Sequence, residues 1–213
     1  MDVAISRVHY PVTSLGPGKR VGLWFQGCSI RCEGCISTDT WAFGKNVIEI
    51  AEILKLLDLW LPKSDGITIT GGEPFDQPHQ LQKILDHCRK YHHLSTFVYS
   101  GYSLESLTPR LEPIDGLIDL LMTDPLDITA SQNQPIRGSD NQRLYALSNR
   151  GELLARQIEN LSSEKTLLNF TFDGDTAWFA GVPKRGDFSR MVREMQRKGM
   201  DAKSVEDDSA NYQ

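Results

Sequence analysis

Apolar and polar residues follow one another along the first two-thirds of the chain in a pattern that predicts alternating strands and helices. Short apolar or β-branched runs predict strands at 21–26, 66–70, 95–100 and 117–123. Apolar residues at helical spacing predict helices at 47–61, 78–92 and 103–111. Strands that alternate with helices indicate right-handed crossovers and a parallel sheet.

The pattern changes after about residue 148. A further helix is predicted at 151–161, and two apolar runs around the sequence DGD at 173–175 predict a β-hairpin. A last helix is predicted at 187–199, where Phe188 and Val192 fall on one apolar face together with two methionines. The remaining polar end has the composition of a disordered terminus.

These elements predict an α/β fold, a partial (β/α) barrel with mostly parallel strands that carries a small C-terminal α+β appendage. The expected division is a core domain at 1–148, an appendage at 149–200 and a disordered acidic tail at 201–213.

Polar and glycine-rich sequences come directly after the predicted strands. They are a cysteine-rich loop after the first strand, GGEP at 71–74, SGY at 100–102 and TDP at 123–125. In parallel α/β proteins, sites gather at the carboxyl ends of the strands. The sequence therefore predicts that these loops form one site, although every strand-to-helix connection also needs turn residues.

Charge and hydropathy narrow the range of partners. The net charge is −5, whereas nucleic-acid-binding surfaces are usually strongly basic. The beginning of the chain lacks the pattern of a secretory signal, and no apolar run approaches the roughly 18 residues that span a bilayer. We therefore expect no nucleic acid or membrane as partner, and a cytoplasmic protein. In that reducing compartment, crowded cysteines bind metal more often than they form disulfides.

The densest chemistry is the C-x3-C-x2-C sequence formed by Cys28, Cys32 and Cys35. Thiolates are soft ligands that suit iron–sulfur clusters, zinc or copper. A structural zinc site uses four protein ligands and would have to recruit a histidine here, because the remaining cysteine, Cys88, lies inside a predicted helix. Three thiolates on a 4Fe–4S cluster leave one iron open to a small molecule, as a catalytic metal site keeps an open position.

C-x3-C-x2-C in the first strand-to-helix loop, followed by GGEP after the next strand, resembles the radical S-adenosylmethionine superfamily. The resemblance implies that Cys28, Cys32 and Cys35 hold a 4Fe–4S cluster and that S-adenosyl-L-methionine chelates the open iron. It also implies an oxidoreductase that cleaves this cofactor reductively to methionine and a 5′-deoxyadenosyl radical.

The GGEP sequence has a physical reading beside that resemblance. Gly71 and Gly72 allow a backbone to approach a ligand closely, and the carboxylate of Glu73 can accept hydrogen bonds from an ammonium group. Pro74 suits the start of a helix, so a glycine turn followed by a helix cap is the alternative. Together with the cysteines, the tetrad is predicted to hold the methionine end of the cofactor.

Further motifs indicate a branch of the superfamily. The sequence GPGKRVGLWFQGCSIRCEGC, the pair Thr40-Trp41, SGY and RGSDNQ at 137–142 are similar to activating enzymes of glycyl radical proteins. Those of anaerobic ribonucleotide reductase come first, and pyruvate formate-lyase activases next. This resemblance implies a glycine Cα–H of a partner protein as target and a low-potential electron donor such as flavodoxin.

Four more residues are predicted to bind cofactor, and no side chain is assigned a catalytic role. These residues are Ser100, Asp124, Arg137 and Ser139. Turn roles remain open for Ser100, a helix N-cap for Asp124 and a surface turn for the last two.

The chain also departs from the activase pattern. Asp124-Pro125-Leu126 keeps the acid but lacks the lysine that usually follows two residues later, and we hypothesise that Arg137 supplies the missing charge. Residues 149–213 have no counterpart in minimal reductase activases. Two alternatives therefore stay open: a radical enzyme that modifies a peptide or small molecule, and a non-catalytic, zinc-stabilised binding module.

Overall fold

The protein is built on a seven-stranded mixed sheet. The computed structural model describes residues 1–161, 167–173 and 176–202. The strands of this sheet are β1 (Asp2–Val12), β2 (Arg20–Phe25), β3 (Val47–Glu49), β4 (Gly66–Gly71), β5 (Ser95–Tyr99), β6 (Leu120–Thr123) and β7 (Arg143–Ala146). Their order is β3-β1-β2-β4-β5-β6-β7. The four central strands β2, β4, β5 and β6 run parallel, and antiparallel strands flank them on both sides.

Helices connect the parallel strands, and a hairpin and a last helix follow the sheet. The helices are α1 (Ile50–Trp60), α2 (Pro78–Cys88), α3 (Leu104–Leu111), α4 (Asn149–Glu159) and α5 (Asp187–Arg197). The hairpin consists of β8 (Leu168–Asp173) and β9 (Thr176–Gly181). The predicted α/β class and the hairpin are confirmed. None of the described helices is long and apolar enough to cross a membrane.

Three strands were not expected from the sequence. β1 and β7 are antiparallel neighbours of the parallel core, and their half-buried residues do not form a clear apolar run. β3 takes the first three residues of the helix predicted at 47–61, because Val47-Ile48-Glu49 pairs with β1 before the chain turns into α1. Pairing with a distant strand thus overrides the local helical pattern.

The sheet order is linear, with β3 and β7 at its two edges, so the described strands do not close into a barrel. The finer expectation of a partial barrel remains a prediction. Of the acidic tail predicted at 201–213, residues 203–213 lie outside the described residues. Residues 174–175 of the predicted hairpin also lie outside them.

The two faces of the sheet are covered by different parts of the chain. Side chains that include Leu23, Ile69 and Val98 pack with α1, α2 and α3 in the main core. On the other face, Phe97 packs with Leu154 and its neighbours from α4. Further along that face, a smaller cluster joins Trp24 to Ala180 of the hairpin. The C-terminal part of the chain therefore covers the second face of the sheet.

Candidate active site

A cavity of about 1040 Å³ lies where the parallel strands end. The loops that follow β2, β4, β5 and β6 contribute Cys28, Cys32, Cys35, Gly72, Ser100 and Asp124 to its lining. The predicted convergence of the strand-end loops is therefore observed, and the C-terminal segment supplies much of the remaining wall.

The cysteine loop, defined here as residues 26–41, is held closed by main-chain hydrogen bonds. The amide of Gly27 donates to the carbonyl of Thr40 at 2.7 Å, and the amide of Cys28 donates to Trp41 at 3.2 Å. Gly27 has a φ of +98° and Gly34 a φ of +76°, a left-handed region that glycine enters at little cost. The loop thus returns to its starting point with its thiols presented to the cavity.

The three thiols have a common environment. Burial raises the pKa of Cys28, Cys32 and Cys35 above the usual thiol value, and repulsion from nearby carboxylates and from the other thiolates adds to the shift. Main-chain N–H groups oppose this shift, among them the amide of Ser37, which donates to Sγ of Cys35 at 3.4 Å. Bound iron would favour the thiolates, since a coordinating thiol is deprotonated by the metal charge.

The two glycines of the GGEP loop, residues 71–74, are explained by contacts within the chain. A Cβ on Gly71 would lie 2.4 Å from the nitrogen of Phe25, and a Cβ on Gly72 would lie 2.1 Å from the carbonyl oxygen of Gly27. The amides of Gly72 and Glu73 donate to the carbonyls of Phe25 and Gly27 at 2.8 and 2.9 Å. Close approach is therefore required for packing this loop on the end of β2 and on the cysteine loop, before any ligand is considered.

Glu73 joins the GGEP loop to the loop after β5. Its carboxylate accepts hydrogen bonds from Ser100 Oγ at 2.9 Å, from the amide of Gly101 at 2.8 Å and from the amide of Phe75 at 3.0 Å. Only 1% of Glu73 is exposed, and this burial raises its pKa to about 7 although the three donors oppose the shift. Pro74 begins a short 3₁₀ helix, Pro74–Asp76, as a proline at a helix start does.

Asp76 is a residue that the sequence did not single out. Its carboxylate accepts from the amide and hydroxyl of Ser29 at 2.8 and 3.0 Å, and from the Tyr102 hydroxyl at 2.8 Å. One carboxylate therefore ties the cysteine loop to the two neighbouring strand-end loops. Ser29 lies 47 positions away in the sequence, so no local pattern could have indicated this contact.

Asp124 has a left-handed backbone with a φ of 79° and does not begin a helix. Its carboxylate accepts from Arg143 Nε at 2.7 Å and Nη2 at 2.9 Å, and from the Thr123 hydroxyl at 2.8 Å. Burial would raise its pKa, but the hydrogen bonds from Arg143 and Thr123 outweigh it and lower the pKa. Arg143 also donates to both carboxylate oxygens of Glu105, at 2.9 and 2.8 Å. The cation beside Asp124 is thus Arg143, which the sequence did not indicate.

Arg137 and Ser139 lie in the loop after β6 but not among the residues that line the cavity. Ser139 is buried, and its hydroxyl accepts from the amide of Asp127 at 3.0 Å. Gly138 and Gln142, from the same RGSDNQ sequence, do line the cavity, and the Gln142 side chain accepts from the Gly138 amide at 2.8 Å. Arg137 and Ser139 themselves have no direct contact with the cavity, and their part in cofactor binding stays a prediction.

The C-terminal segment forms an apolar side of the cavity that the sequence did not associate with the site. We name it the C-terminal wall, and it consists of Phe170, Trp178, Phe179, Phe188, Met191 and Met195. The ring centroids of Phe170 and Phe179 are 6.1 Å apart, and those of Phe179 and Phe188 are 4.1 Å apart. The apolar stripe predicted for the last helix therefore faces the cavity.

The donor set suits an iron–sulfur cluster. Three thiols line one cavity, and N–H groups approach their sulfurs, an arrangement that stabilises the negative charge of a cluster. Among the described residues, no group of three His, Cys, Asp or Glu side chains is arranged to hold one metal ion. A four-iron cluster does not need such convergence, because each thiolate binds a different iron.

Comparison with known proteins agrees with this donor set. Residues 14–145 match the family model described as a 4Fe-4S single cluster domain, and the chain belongs to that family. The matched segment includes all three cysteines of the motif and ends inside β7. The C-terminal wall lies outside it.

Relatives with established names extend the likeness. The chain is 29% identical to the anaerobic ribonucleoside-triphosphate reductase-activating protein of Enterobacteria phage T4, over 62% of this chain and 86% of that protein. It is 23% identical to the pyruvate formate-lyase-activating enzyme of Streptococcus mutans, over 85% of this chain and 70% of the relative. A reductase-activating protein of Pasteurella multocida is 29% identical, over 64% of this chain and 94% of the relative. The resemblance to activating enzymes that the motifs indicated is confirmed.

Proposed function

We propose that this protein is a radical S-adenosylmethionine enzyme of the glycyl-radical-activating type. The observation that carries the proposal is the meeting of three cysteine thiols, the GGEP loop and the Ser100 and Asp124 loops around one cavity. The relatives named as reductase and lyase activating proteins support the same class of reaction.

The cofactors of this reaction are a 4Fe–4S cluster and S-adenosyl-L-methionine. When bound, the cluster would supply the electron for reductive cleavage of S-adenosyl-L-methionine to methionine and a 5′-deoxyadenosyl radical, the chemistry that would allow hydrogen abstraction from the target. Cys28, Cys32 and Cys35 are the proposed cluster ligands, and the cysteine loop offers one thiolate fewer than the cluster has irons.

The GGEP loop and its neighbours are proposed to position the cofactor. Gly71 sets the loop against the end of β2 and Gly72 sets it against the cysteine loop, and Pro74 begins the short helix that follows. Glu73 and Ser100 form a buried hydrogen-bonded pair at the cavity, where a carboxylate near pKa 7 can gain charge when an ammonium group approaches. Asp124, kept ionised by Arg143, offers an acceptor for ligand hydroxyl groups.

The activase pattern places a lysine two residues after the acid. In this chain, the positive charge beside Asp124 is proposed to come from Arg143 instead. Arg137 makes no hydrogen bond with Asp124 in the described residues, whereas Arg143 makes two. The original hypothesis for Arg137 stays testable: unchanged methionine formation in an Arg137→Ala protein with intact cluster would exclude it. An Arg143→Ala protein is the matched comparison, for which we expect weaker cofactor binding.

The proposed target is a glycine Cα–H on a partner protein, by analogy with the named relatives. A low-potential donor of the flavodoxin kind would supply the electron. A radical enzyme acting on a peptide or small molecule shares every cofactor residue, so only the target distinguishes it. A zinc-stabilised module, in contrast, would carry out no redox chemistry.

The same proposal covers the organisation of the chain and its location. Residues 1–148 are proposed as the radical core, 149–200 as an appendage and 201–213 as a disordered acidic tail, although α4 packs directly on β5, β6 and β7. A partial-barrel curvature of the core and a cytoplasmic location are proposed as well.

Anaerobic reconstitution with iron and sulfide tests the proposal. We expect a brown protein that forms methionine and 5′-deoxyadenosine from S-adenosyl-L-methionine when dithionite is added. Cys32→Ala should lose both colour and turnover, whereas Cys88→Ala, changed at a buried thiol outside the cavity, should keep them. Colourless protein that holds one zinc and ignores S-adenosyl-L-methionine would overturn the proposal in favour of the binding module.

A further inference from the structure

Arg7 and Asp39 form an ion pair in the lining of the cavity. Nη1 of Arg7 donates to Oδ2 of Asp39 at 2.6 Å, and each side chain keeps only 22% of its surface exposed. The guanidinium also lies over the rings of Trp24 and Trp178, 5.6 and 5.7 Å from their centroids. All four residues line the cavity into which the three thiols point. The positive charge of Arg7 is therefore held between β2, the hairpin and the cysteine loop.

Folding alone gives no reason for this ion pair. Nε of Arg7 is buried and has no hydrogen-bond partner among the described residues, which costs free energy. Largely buried ion pairs can often be replaced by apolar side chains without loss of stability. A pair that persists between two tryptophan rings in spite of this cost indicates that its charges have a function.

Asp39 is close to the last cysteine of the loop. It follows Cys35 by four positions and lies in the 3₁₀ helix Thr38–Thr40, which begins directly after Ser37. The amide of Ser37 donates to Sγ of Cys35 at 3.4 Å. Burial raises the pKa of the Cys35 thiol, and repulsion from the charges of Cys32 and Asp39 adds to the shift. The carboxylate of Asp39 therefore acts electrostatically on the sulfur of Cys35.

We propose that Arg7 sets the reduction potential of the iron–sulfur cluster by neutralising Asp39 beside the ligand Cys35. This inference rests on the proposed function, because it assumes that the three thiolates hold a cluster that accepts one electron. The potential of such a cluster depends on the charge around it, since reduction adds a negative charge. The carboxylate of Asp39 opposes reduction, and the guanidinium of Arg7 offsets this effect. Arg7 thus affects the reaction indirectly, through Asp39 and Cys35.

Redox titration of the reconstituted protein, followed by electron paramagnetic resonance without S-adenosyl-L-methionine, tests the inference. Arg7→Gln leaves Asp39 unpaired, and the potential should fall by about 30 mV, a threefold change in the reduction equilibrium at 59 mV per factor of ten. Asp39→Asn leaves the positive charge unpaired, and the potential should rise by a similar amount. The double variant should return close to the wild-type potential, because both charges are removed.

Two further variants separate the effect of charge from that of shape. Arg7→Lys keeps the positive charge and should stay close to the wild-type potential. Glu152→Gln removes a carboxylate of α4 that pairs with Arg156 at 3.9 Å outside the cavity lining, and it should leave the potential unchanged. Iron content and thermal unfolding check that each variant is folded and carries the cluster.

The inference is overturned if the two single variants shift the potential in the same direction or not at all, if the double variant shifts it further than either, or if Arg7→Lys behaves like Arg7→Gln. It is also overturned if both single variants fail to take up the cluster, since the pair would then only support the loop. If one of them fails, the direction of the shift in the other decides.

Failure of the proposed function has a different signature. In that case the wild type takes up the cluster and the two single variants shift its potential in opposite directions, but no methionine forms. Conversely, methionine formation with equal potentials in all variants would overturn the inference alone. A wild type that takes up no cluster overturns both.

Discussion

At the scale of single residues, the site depends on places where one added atom would collide with the main chain. Gly72 approaches the carbonyl oxygen of Gly27 so closely that a methyl group has no room. The atoms that this methyl group would meet belong to the main chain, which cannot move aside as a flexible side chain can. The contact holds the GGEP loop against the cysteine loop, so packing and function depend on the same glycine.

Gly72→Ala should therefore lower the free energy of unfolding by about 3 kcal/mol, the upper end of the cost of forcing a methyl group into a packed site. Gly116→Ala is the control, since its Cβ would meet nothing within 4 Å and only its φ of +70° is unfavourable. That control should cost about 1 kcal/mol. Urea denaturation of the two variants compares the effects, and equal losses would show that the contact with Gly27 is unimportant.

Cys88 contrasts with the three cavity thiols. It is 1% exposed in the core, and burial raises its pKa to about 12. In the folded protein without cluster, iodoacetamide at pH 8 should modify Cys32 and leave Cys88 unmodified, because the thiolate is the reactive form. Peptide mapping by mass spectrometry measures both sites, and rapid labelling of Cys88 in folded protein would contradict its buried position.

At the scale of elements, carboxylates join loops that follow different strands. Asp76 connects the cysteine loop to the loop after β5, and Asp124 connects the end of β6 to β7 through Arg143. The Asp76 contacts join loops that follow neighbouring parallel strands, and the Asp124 contact joins β6 to its antiparallel neighbour β7. Their role is to hold the strand-end loops in one arrangement around the cavity.

Asp76→Asn should loosen this arrangement, since an amide cannot accept the three hydrogen bonds that the carboxylate accepts. We expect slower cluster reconstitution and faster amide hydrogen exchange at Ser29, with the melting temperature little changed. Asp86→Asn, on α2 and outside the cavity lining, is the matched control. Unchanged exchange at Ser29 would exclude the proposed tie.

The Arg143 network predicts a pH dependence. Hydrogen bonds from Arg143 lower the pKa of Glu105 to about 2, and together with Thr123 they lower the pKa of Asp124 against the effect of burial. A carboxyl group with a lowered pKa stabilises the fold above its ordinary pKa near 4 and loses this contribution as the pH falls through the folded value. The stability difference between wild type and Arg143→Leu should therefore be largest near pH 7 and shrink below pH 4.

Urea denaturation at several pH values measures that difference. Arg156→Leu removes an exposed arginine of α4 that pairs with Glu152 at 3.9 Å, and it should show little pH-dependent effect. A constant difference across the range for Arg143→Leu would show that its contribution comes from packing and not from charge.

At the scale of the whole molecule, the C-terminal part of the chain completes the cavity. Asn169 of β8 accepts hydrogen bonds from the amides of Thr13 and Ser14 at 2.8 and 3.0 Å, and Arg185 attaches the segment before α5 to the loop after β6. These side chains, together with further bonds such as the one from Ser14 Oγ to the carbonyl of Ala180 at 2.7 Å, hold the hairpin and the segment after it on the sheet face opposite the core that α1, α2 and α3 form.

Replacing two of these side chains, in an Asn169→Ala and Arg185→Ala double variant, should loosen the C-terminal side of the cavity without unfolding the core. We expect Cys32 and Cys35 to react several times faster with iodoacetamide, while urea denaturation followed by far-ultraviolet circular dichroism changes little. Equal thiol reactivity in the variant would show that the remaining hydrogen bonds and apolar contacts are enough to hold the hairpin in place.

Much of the fold and the cofactor chemistry could be read from the sequence. Periodicity and turn residues are local signals, so the parallel strands, the hairpin and the last amphipathic helix were predicted close to their observed bounds. The spacing of Cys28, Cys32 and Cys35 is also local, and it indicates an iron–sulfur cluster without any tertiary contact.

Tertiary structure decided the contacts between distant parts of the chain. The pairing of β3 with β1, the choice of Arg143 as partner of Asp124 and the tie between Asp76 and Ser29 have no signature in neighbouring residues. Asn169 meets Thr13 across 156 positions. By itself the sequence determined which chemical groups the protein brings to its site, because ligand type and spacing are local properties. Only the folded chain decided which side chains surround those groups, because that depends on which remote segments share a face of the sheet.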